Sequence, residues 1–279
     1  MLRNLIGGIA VGIANIIPGV SGGTMMVILG IFQQAMDAIA GMFKVHNPKR
    51  KEQLIFLIEV LAGAAIGLVG FAKILNVLFE YYPTQTIYWF IGLVVFSIPL
   101  FLKSEVKQDK VNWVWVIGGM ALIFIINFLA PDSDQVAVNP TLPDISLLHC
   151  LTMIAAGFIS GFAMLLPGVS GSMVLLIFNQ YYLFKSYVAA VTTFAPDVLI
   201  SLVFIGIGVV LGIVASAALT GFALKKSRIA TLSFILGLII ASSIVLIPFH
   251  ASYDVFTILT SAFAVILGGV LVALLNKLA

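Results

Sequence analysis

Long apolar runs separated by short polar joints dominate this chain, and their lengths predict helices sized for a lipid bilayer. A hydrocarbon core of about 30 Å takes roughly 20 helical residues. Segments 54–79, 87–102, 111–130, 198–224, 229–248 and 255–276 read as six spans of that kind, with Glu59 and Lys73 the only charges inside them. Two more apolar segments, 2–43 and 147–191, are interrupted by Pro18-Gly19 and Pro167-Gly168. Proline removes a backbone donor and clashes with the preceding turn, so each of these segments is read as a broken helical hairpin.

The two interruptions are copies of one another. Ala14-Asn-Ile-Ile-Pro-Gly-Val-Ser-Gly22 aligns with Ala163-Met-Leu-Leu-Pro-Gly-Val-Ser-Gly171 at an offset of 149 residues, which also pairs Gly8 with Gly157 and Gly12 with Gly161. Further along, an offset of 145 pairs Gly63 and Gly67 with Gly208 and Gly212, and Gly92-Leu93 with Gly237-Leu238. Self-similarity on that scale marks an internal repeat. The chain therefore divides into residues 1–140 and 141–279, each a broken hairpin followed by three spans. Glycines four apart allow helix backbones to approach closely in lipid, which is a packing role.

Charge decides the topology. Basic residues cluster at Arg3, from Lys44 to Lys51, from Lys103 to Lys110, from Lys225 to Arg228 and at Lys277, whereas the loops between carry Asp132, Asp134 and Asp144, or Lys185 alone. Basic loops stay in the cytoplasm, so both termini are expected there. Arg3 and the Lys44 cluster then share a side, and the first broken segment must return to it. From residue 5 to its break it offers about 13 residues, some 20 Å of helix, which suits a re-entrant hairpin. The apolar run before Pro167 is longer, so a re-entrant hairpin and two tilted crossings both fit there. Three spans follow the first hairpin, and three is odd, so the second hairpin enters from the opposite face. The expected fold class is an all-α integral membrane protein with an inverted-topology repeat, each half a re-entrant hairpin plus three transmembrane helices.

Composition agrees, with 62% hydrophobic residues, 9% charged residues and a mean hydropathy of +1.20, far from a soluble domain. The net charge of +3 reports orientation rather than a nucleic-acid partner. Cys150 is the only cysteine, and His46, His149 and His250 are scattered, which excludes an internal disulfide and any close metal-ligand spacing. The serines of the breaks have no histidine near them in sequence, so the chain does not read as an enzyme. Arg3 before the first apolar stretch imitates a secretory signal, but no small-residue cleavage site ends that stretch and it is read as retained.

Backbone that leaves the helix inside a membrane needs protein partners or a polar cavity. After each break a new helix is expected to start near Ser21 or Ser170, both favourable N-caps. Gly19, Val20, Ser21, Gly22, Gly23 and Thr24 would form one tip, and Gly168, Val169, Ser170, Gly171 and Ser172 the other, with amide donors aimed at an anion such as phosphate. The second tip reads Ser172-Met173 where the first reads Gly23-Thr24, so the first carries more weight. A purely structural reading makes both tips tight reversals whose hydroxyls bond local backbone. Glu59 is a candidate for a coupling proton or cation and Lys73 for attracting phosphate, although each can also snorkel to its nearer interface. Asn15, paired with Met164 in the repeat, offers its amide to substrate or to loose backbone.

The stretches GIANIIPGVSGGT (residues 12–24) and GFAMLLPGVSGSM (161–173), with the spans spaced after them, resemble the PopT family of polyprenyl-phosphate transporters over essentially the whole chain. That resemblance implies movement of undecaprenyl phosphate, the lipid carrier of cell-wall glycans, from the outer to the inner leaflet of a bacterial cytoplasmic membrane. It implies a polyprenyl-phosphate lipid as partner and no cofactor beyond a coupling proton or sodium gradient. The residues by themselves leave a second reading open, a channel or exchanger for small anions. No feature of the sequence sets an oligomeric state.

Overall fold

The computed structural model describes residues 2–16, 21–42, 46–106, 109–129, 143–249 and 251–278, and among these the regular structure is all helical. The helices are α1 (Leu2–Ile16), α2 (Gly22–Ile28), α3 (Phe32–Met42), α4 (Arg50–Tyr81), α5 (Pro83–Phe101) and α6 (Trp113–Phe128) in the first half. The second half holds α7 (Leu147–Leu165), α8 (Gly171–Ile177), α9 (Tyr181–Ala189), α10 (Pro196–Lys226), α11 (Arg228–Val245) and α12 (Val255–Leu278). Six of the described helices, α4, α5, α7, α10, α11 and α12, are long and apolar enough to cross a membrane, and α1 and α6 are shorter apolar helices.

Every span expected from the sequence is a single helix, with shifted ends. The span expected at 111–130 starts later, at Trp113, because Asn112 caps it: the Asn112 Oδ1 accepts from the Val114 N–H at 3.1 Å. The broken segments differ more. Each consists of three helices, α1 to α3 and α7 to α9, because the chain turns again at Gly30 (φ +64°) and Asn179 (φ +54°). These left-handed positions are 149 residues apart, the offset of the breaks themselves. Glycine takes that conformation freely and asparagine tolerates it.

Glycine faces hold the long helices together. Gly8 and Gly12 of α1 lie against the backbone carbonyls of Val60 and Ala64 in α4, and Gly63 and Gly67 of α4 against those of Leu5 and Ile9 in α1. In the second half Gly157 and Gly161 of α7 meet Ile205 and Val209 of α10, while Gly208 and Gly212 meet Ile154 and Phe158. Each α7 position is its α1 counterpart plus 149 and each α10 position its α4 counterpart plus 145, so the contacts recur at the offsets read from the sequence. No side chain fits at these glycines, and the resulting backbone proximity maximises dispersion contacts in lipid.

The remaining pairs join the two halves. Gly92 of α5 lies against Val265 of α12, and Gly237 of α11 lies against Val116 of α6, again at equivalent positions. α5 thus pairs with α12 and α6 with α11, each pair taking one helix from each half. α5 and α11 are the most enclosed of the long helices, whereas α4, α10 and α12 turn residues such as Val69, Val210 and Phe263 outward. Such an apolar exterior belongs in hydrocarbon. At the end of the bundle where the basic residues gather, Arg228 of α11 donates to Gln33 of α3 at 2.9 Å and pairs with Glu105, just after α5, at 2.9 Å.

Replacing Gly12 or Gly161 by leucine should push α1 from α4 or α7 from α10 and destabilise the detergent-solubilised protein by about 1–3 kcal/mol, the usual range for overpacking. Gly70→Leu and Gly206→Leu, where nothing lies within 4 Å of an added Cβ, should leave the melting temperature unchanged. Thermal unfolding followed by tryptophan fluorescence reads the difference.

Candidate functional site

The two breaks meet and exchange hydrogen bonds. Gly19 and Val20, expected in the first tip, lie outside the described residues together with Pro18, and the chain resumes at Ser21. Ser21 has extended backbone (φ −106°, ψ 141°) and caps α2, its Oγ accepting from the Thr24 N–H at 3.3 Å. The same hydroxyl donates across to the Leu166 carbonyl of the second break at 3.0 Å. In return the Gly168 N–H donates to Thr24 Oγ1 at 2.7 Å. The first break's hydroxyls thereby supply both partners that the second break's unwound backbone needs at Leu166 and Gly168.

Glycine is required where the backbones touch. Gly23 lies against the Leu165 and Leu166 backbone with no room for a Cβ. Gly168 has φ +82°, and an added Cβ would stand 2.7 Å from the Leu238 carbonyl of α11. Conformation and space both exclude a side chain at Gly168.

The tips differ in how they are closed. At the first, Asn15 Oδ1 accepts from the Gly22 N–H at 3.3 Å, so Asn15 and Ser21 together occupy two donors of the opening turn of α2. Ser21 and Thr24 are each only 2% exposed, and Gly22 and Gly23 are buried. At the second, Met164 stands in the place of Asn15 and cannot accept in this way. Ser170 caps α8 without a side-chain cap bond; its Oγ lies 2.7 Å from Ser172 Oγ instead. Ser170 is half-buried and Ser172 is exposed, while Val169 is buried and Gly171 is pressed against Ser160. The described residues of the first tip, Ser21 to Thr24, are buried, whereas the second opens outward at Ser172. α2 and α8 have 7 residues each, too short for a large dipole, so hydroxyls and turn amides carry the polarity of the site.

Glu59 is not with the tips. Its Oε2 accepts from Asn4 Nδ2 at 2.7 Å near the start of α1, and Asn4 lies about 16 Å of helix from Asn15. Lys73 stands closer in depth. α1 and α4 run side by side in the same direction, with Ala64 level with Gly12 and Gly67 level with Ile9. Continuing both registers to the first break brackets position 73 of α4; its side chain lies outside the described residues. Sequence reasoning did not single out Leu166, which acts through its carbonyl, or Ser160, because neither role leaves a mark on residue type. Among the described residues no group of three His, Cys, Asp or Glu could hold a metal ion. Converging amide and hydroxyl groups without an ionisable partner suit binding of an oxyanion.

A family model described as undecaprenyl phosphate translocase-like matches residues 11–264, a range that includes both breaks, every span before α12 and the first part of α12. The chain belongs to this family. The translocase-like chain is 29% identical over 196 residues to the polyprenyl-phosphate transporter of Staphylococcus aureus, a match covering 69% of this chain and 68% of that relative. It is also 29% identical over 189 residues to the polyprenyl-phosphate transporter of Vibrio cholerae, covering 67% of this chain and 55% of that relative. No solved structure matches it.

Thr24→Val keeps the shape of this translocase-like protein but removes the acceptor for Gly168 N–H. An unpaired buried donor costs about 1–3 kcal/mol, so the melting temperature in detergent should fall, and Thr24→Ser should restore most of it.

Proposed function

We propose that this protein carries polyprenyl phosphate, undecaprenyl phosphate in particular, across a bacterial cytoplasmic membrane and holds the phosphate between its two Pro-Gly-Val-Ser-Gly breaks. The observation that carries the reading is the reciprocal pair of hydrogen bonds, Ser21 to Leu166 and Gly168 to Thr24. The two donors, Ser21 O–H and Gly168 N–H, belong to opposite halves, and a phosphate with oxygens on several sides can replace the Leu166 carbonyl and Thr24 hydroxyl as their acceptors. Ser170 and Ser172 offer the accessible donors in this state, and Ser21, Gly22, Gly23 and Thr24, with the Gly168 amide bonded to Thr24, the enclosed ones; Gly19 and Val20 of the same motif belong to the proposed site. Lys73, at the depth of the first break, adds the cation that draws the phosphate in. Membership of the translocase-like family and the names of the two bacterial relatives support the substrate.

The architecture that fits is an inverted-topology repeat working by alternating access. It is supported by glycine contacts recurring at fixed offsets and by an α1 of 15 residues, about 22 Å, too short to cross. α7, with 19 residues, reaches further, so the second hairpin spans more of the bilayer than the first. With basic ends inside, both termini are cytoplasmic. Glu59, at the cytoplasmic start of α1, stands apart from the phosphate and would act on coupling rather than on binding. A channel for small anions fits less well, because the buried first tip suits a carrier that opens to one side at a time.

Purified protein in liposomes should equilibrate labelled polyprenyl phosphate between leaflets, read by the fraction open to added phosphatase. Ser170→Ala combined with Ser172→Ala should slow this about tenfold or more, matching loss of a hydrogen bond to a charged group at about 1.5–3 kcal/mol. Lys73→Gln should slow it as well. Wild-type protein that moves no polyprenyl phosphate would remove the reading.

A further inference from the structure

Two apolar grooves on the lipid-facing surface are built from the same set of positions. One, of about 450 Å³, lies where α6, α10 and α11 meet, with Phe234 on its inner wall and Lys226 at its edge. The other, of about 360 Å³, lies where α4, α5 and α12 meet, with Trp89 on its inner wall. A shift of 145 residues carries Gln85, Thr86 and Trp89 onto Ala230, Thr231 and Phe234, and a shift of 149 carries Trp115 onto Ala264. The groove is therefore built twice, each copy taking two helices from one half and one from the other. Both fall within the roughly 300–1,000 Å³ typical of ligand clefts.

Each groove runs toward the hairpin of its own half. Phe234 and Leu166 both pack on the cluster that contains Leu238 and Val169, Leu238 is one turn, about 6 Å, from Phe234, and its carbonyl lies against Gly168 of the second break. Trp89 packs on the core cluster that contains Leu93 and the α2 residues Met25 and Met26. The α10–α11 groove thus adjoins the second break through Leu238, and the α4–α5 groove borders the core that holds α2.

The copies differ in charge. Lys226, whose Nζ stands 5.9 Å from the Phe222 ring centre, edges the α10–α11 groove. The position equivalent to Lys226 is Tyr81, and the second groove carries a neutral pair in which Gln85 donates to Thr260 at 3.0 Å. We propose that the two grooves hold the isoprenoid tail of the phosphate lipid, one in each leaflet, and that Lys226 makes the cytoplasmic copy the tighter of the two. The assignment of leaflets rests on the inverted repeat and orientation proposed above. The apolar walls suit the tail, and the lysine at the mouth complements a phosphate that has left the tips. An uncharged outer groove and a cationic inner one give the carrier a higher occupancy by anionic lipid at its inner groove.

A decaprenyl phosphate bearing a diazirine on its tail tests this with the full chain in liposomes. Illumination should label peptides around Phe222 to Phe234 and around Trp89 and Phe263, and excess unlabelled decaprenyl phosphate should suppress the labelling where dioleoyl phosphatidate does not. Labelling elsewhere, or equal suppression by phosphatidate, overturns the tail sites. Lys226→Gln should reduce labelling of the α10–α11 groove relative to the α4–α5 groove by about threefold or more; an unchanged ratio overturns the charge bias. Ala230→Trp, which fills the groove far from the breaks, should slow transport of decaprenyl phosphate about tenfold while geranyl phosphate moves at the wild-type rate, and equal slowing or none overturns the groove's role in transport. Competed labelling by wild-type protein that moves no lipid would remove the transport reading and leave the tail sites standing.

Discussion

Hydrocarbon offers a backbone no hydrogen-bond partner, and an unwound segment within it is stable only where protein or a polar cavity supplies one. The fold answers this by bringing its two breaks together. Ser21 reaches the Leu166 carbonyl and Thr24 receives the Gly168 amide, so the unwound backbone of the second break is satisfied by the hydroxyls of the first. That close approach explains why Gly23 and Gly168 carry no side chain. It also makes the centre of the molecule polar without placing a charged side chain of the tips there.

On the transport reading the same bonds are what a phosphate competes for. A carrier must close one side of its site before opening the other, and the asymmetry of the tips has a chemical cause. The first tip has Asn15 and Ser21 to occupy its amides, whereas the second has Met164 in place of Asn15 and pairs Ser170 with the exposed Ser172 instead. The buried tip belongs to the half whose hairpin ends beside Gln33, where Arg228 and Glu105 tie the basic end of the bundle together. Rearranging the tips without loosening that tie would move only part of the structure.

Much of this was legible in the sequence because the responsible residues are of types with few alternatives. Pro18, Pro167 and the glycines at fixed spacing marked the breaks, and the two offsets found by alignment reappear in the contacts of Gly8 with Val60 and Gly157 with Ile205. The second turn in each hairpin was missed, since Asn179 carries no signal strong enough to stand beside Gly30 until both left-handed angles are seen. Which spans pair was also hidden. Gly92 announces a close approach but not that its partner is Val265 of the other half. Contacts made through carbonyls, as at Leu166, leave residue type unconstrained and are invisible to any pattern. The grooves were unreadable for a related reason: Phe234 and Trp89 look like ordinary core aromatics until their surroundings are compared.

Rigidity is unevenly distributed, and this links the tips to the grooves. Glycine-lined backbone contact along α1 and α4, and along α7 and α10, makes two stiff arms, each carrying a break at its end. The α5–α12 and α6–α11 pairs form a second kind of unit that joins the halves. The seams between the two kinds of unit are lined by side chains, and the grooves lie in them: one between α10 and the α6–α11 pair, the other between α4 and the α5–α12 pair. On the transport reading, a shift of one arm that frees its tip would also change the width of its own seam. Access of the head to the centre and access of the tail from the bilayer are then two consequences of one motion, which a carrier for a long-tailed phosphate requires and a carrier for a free anion does not.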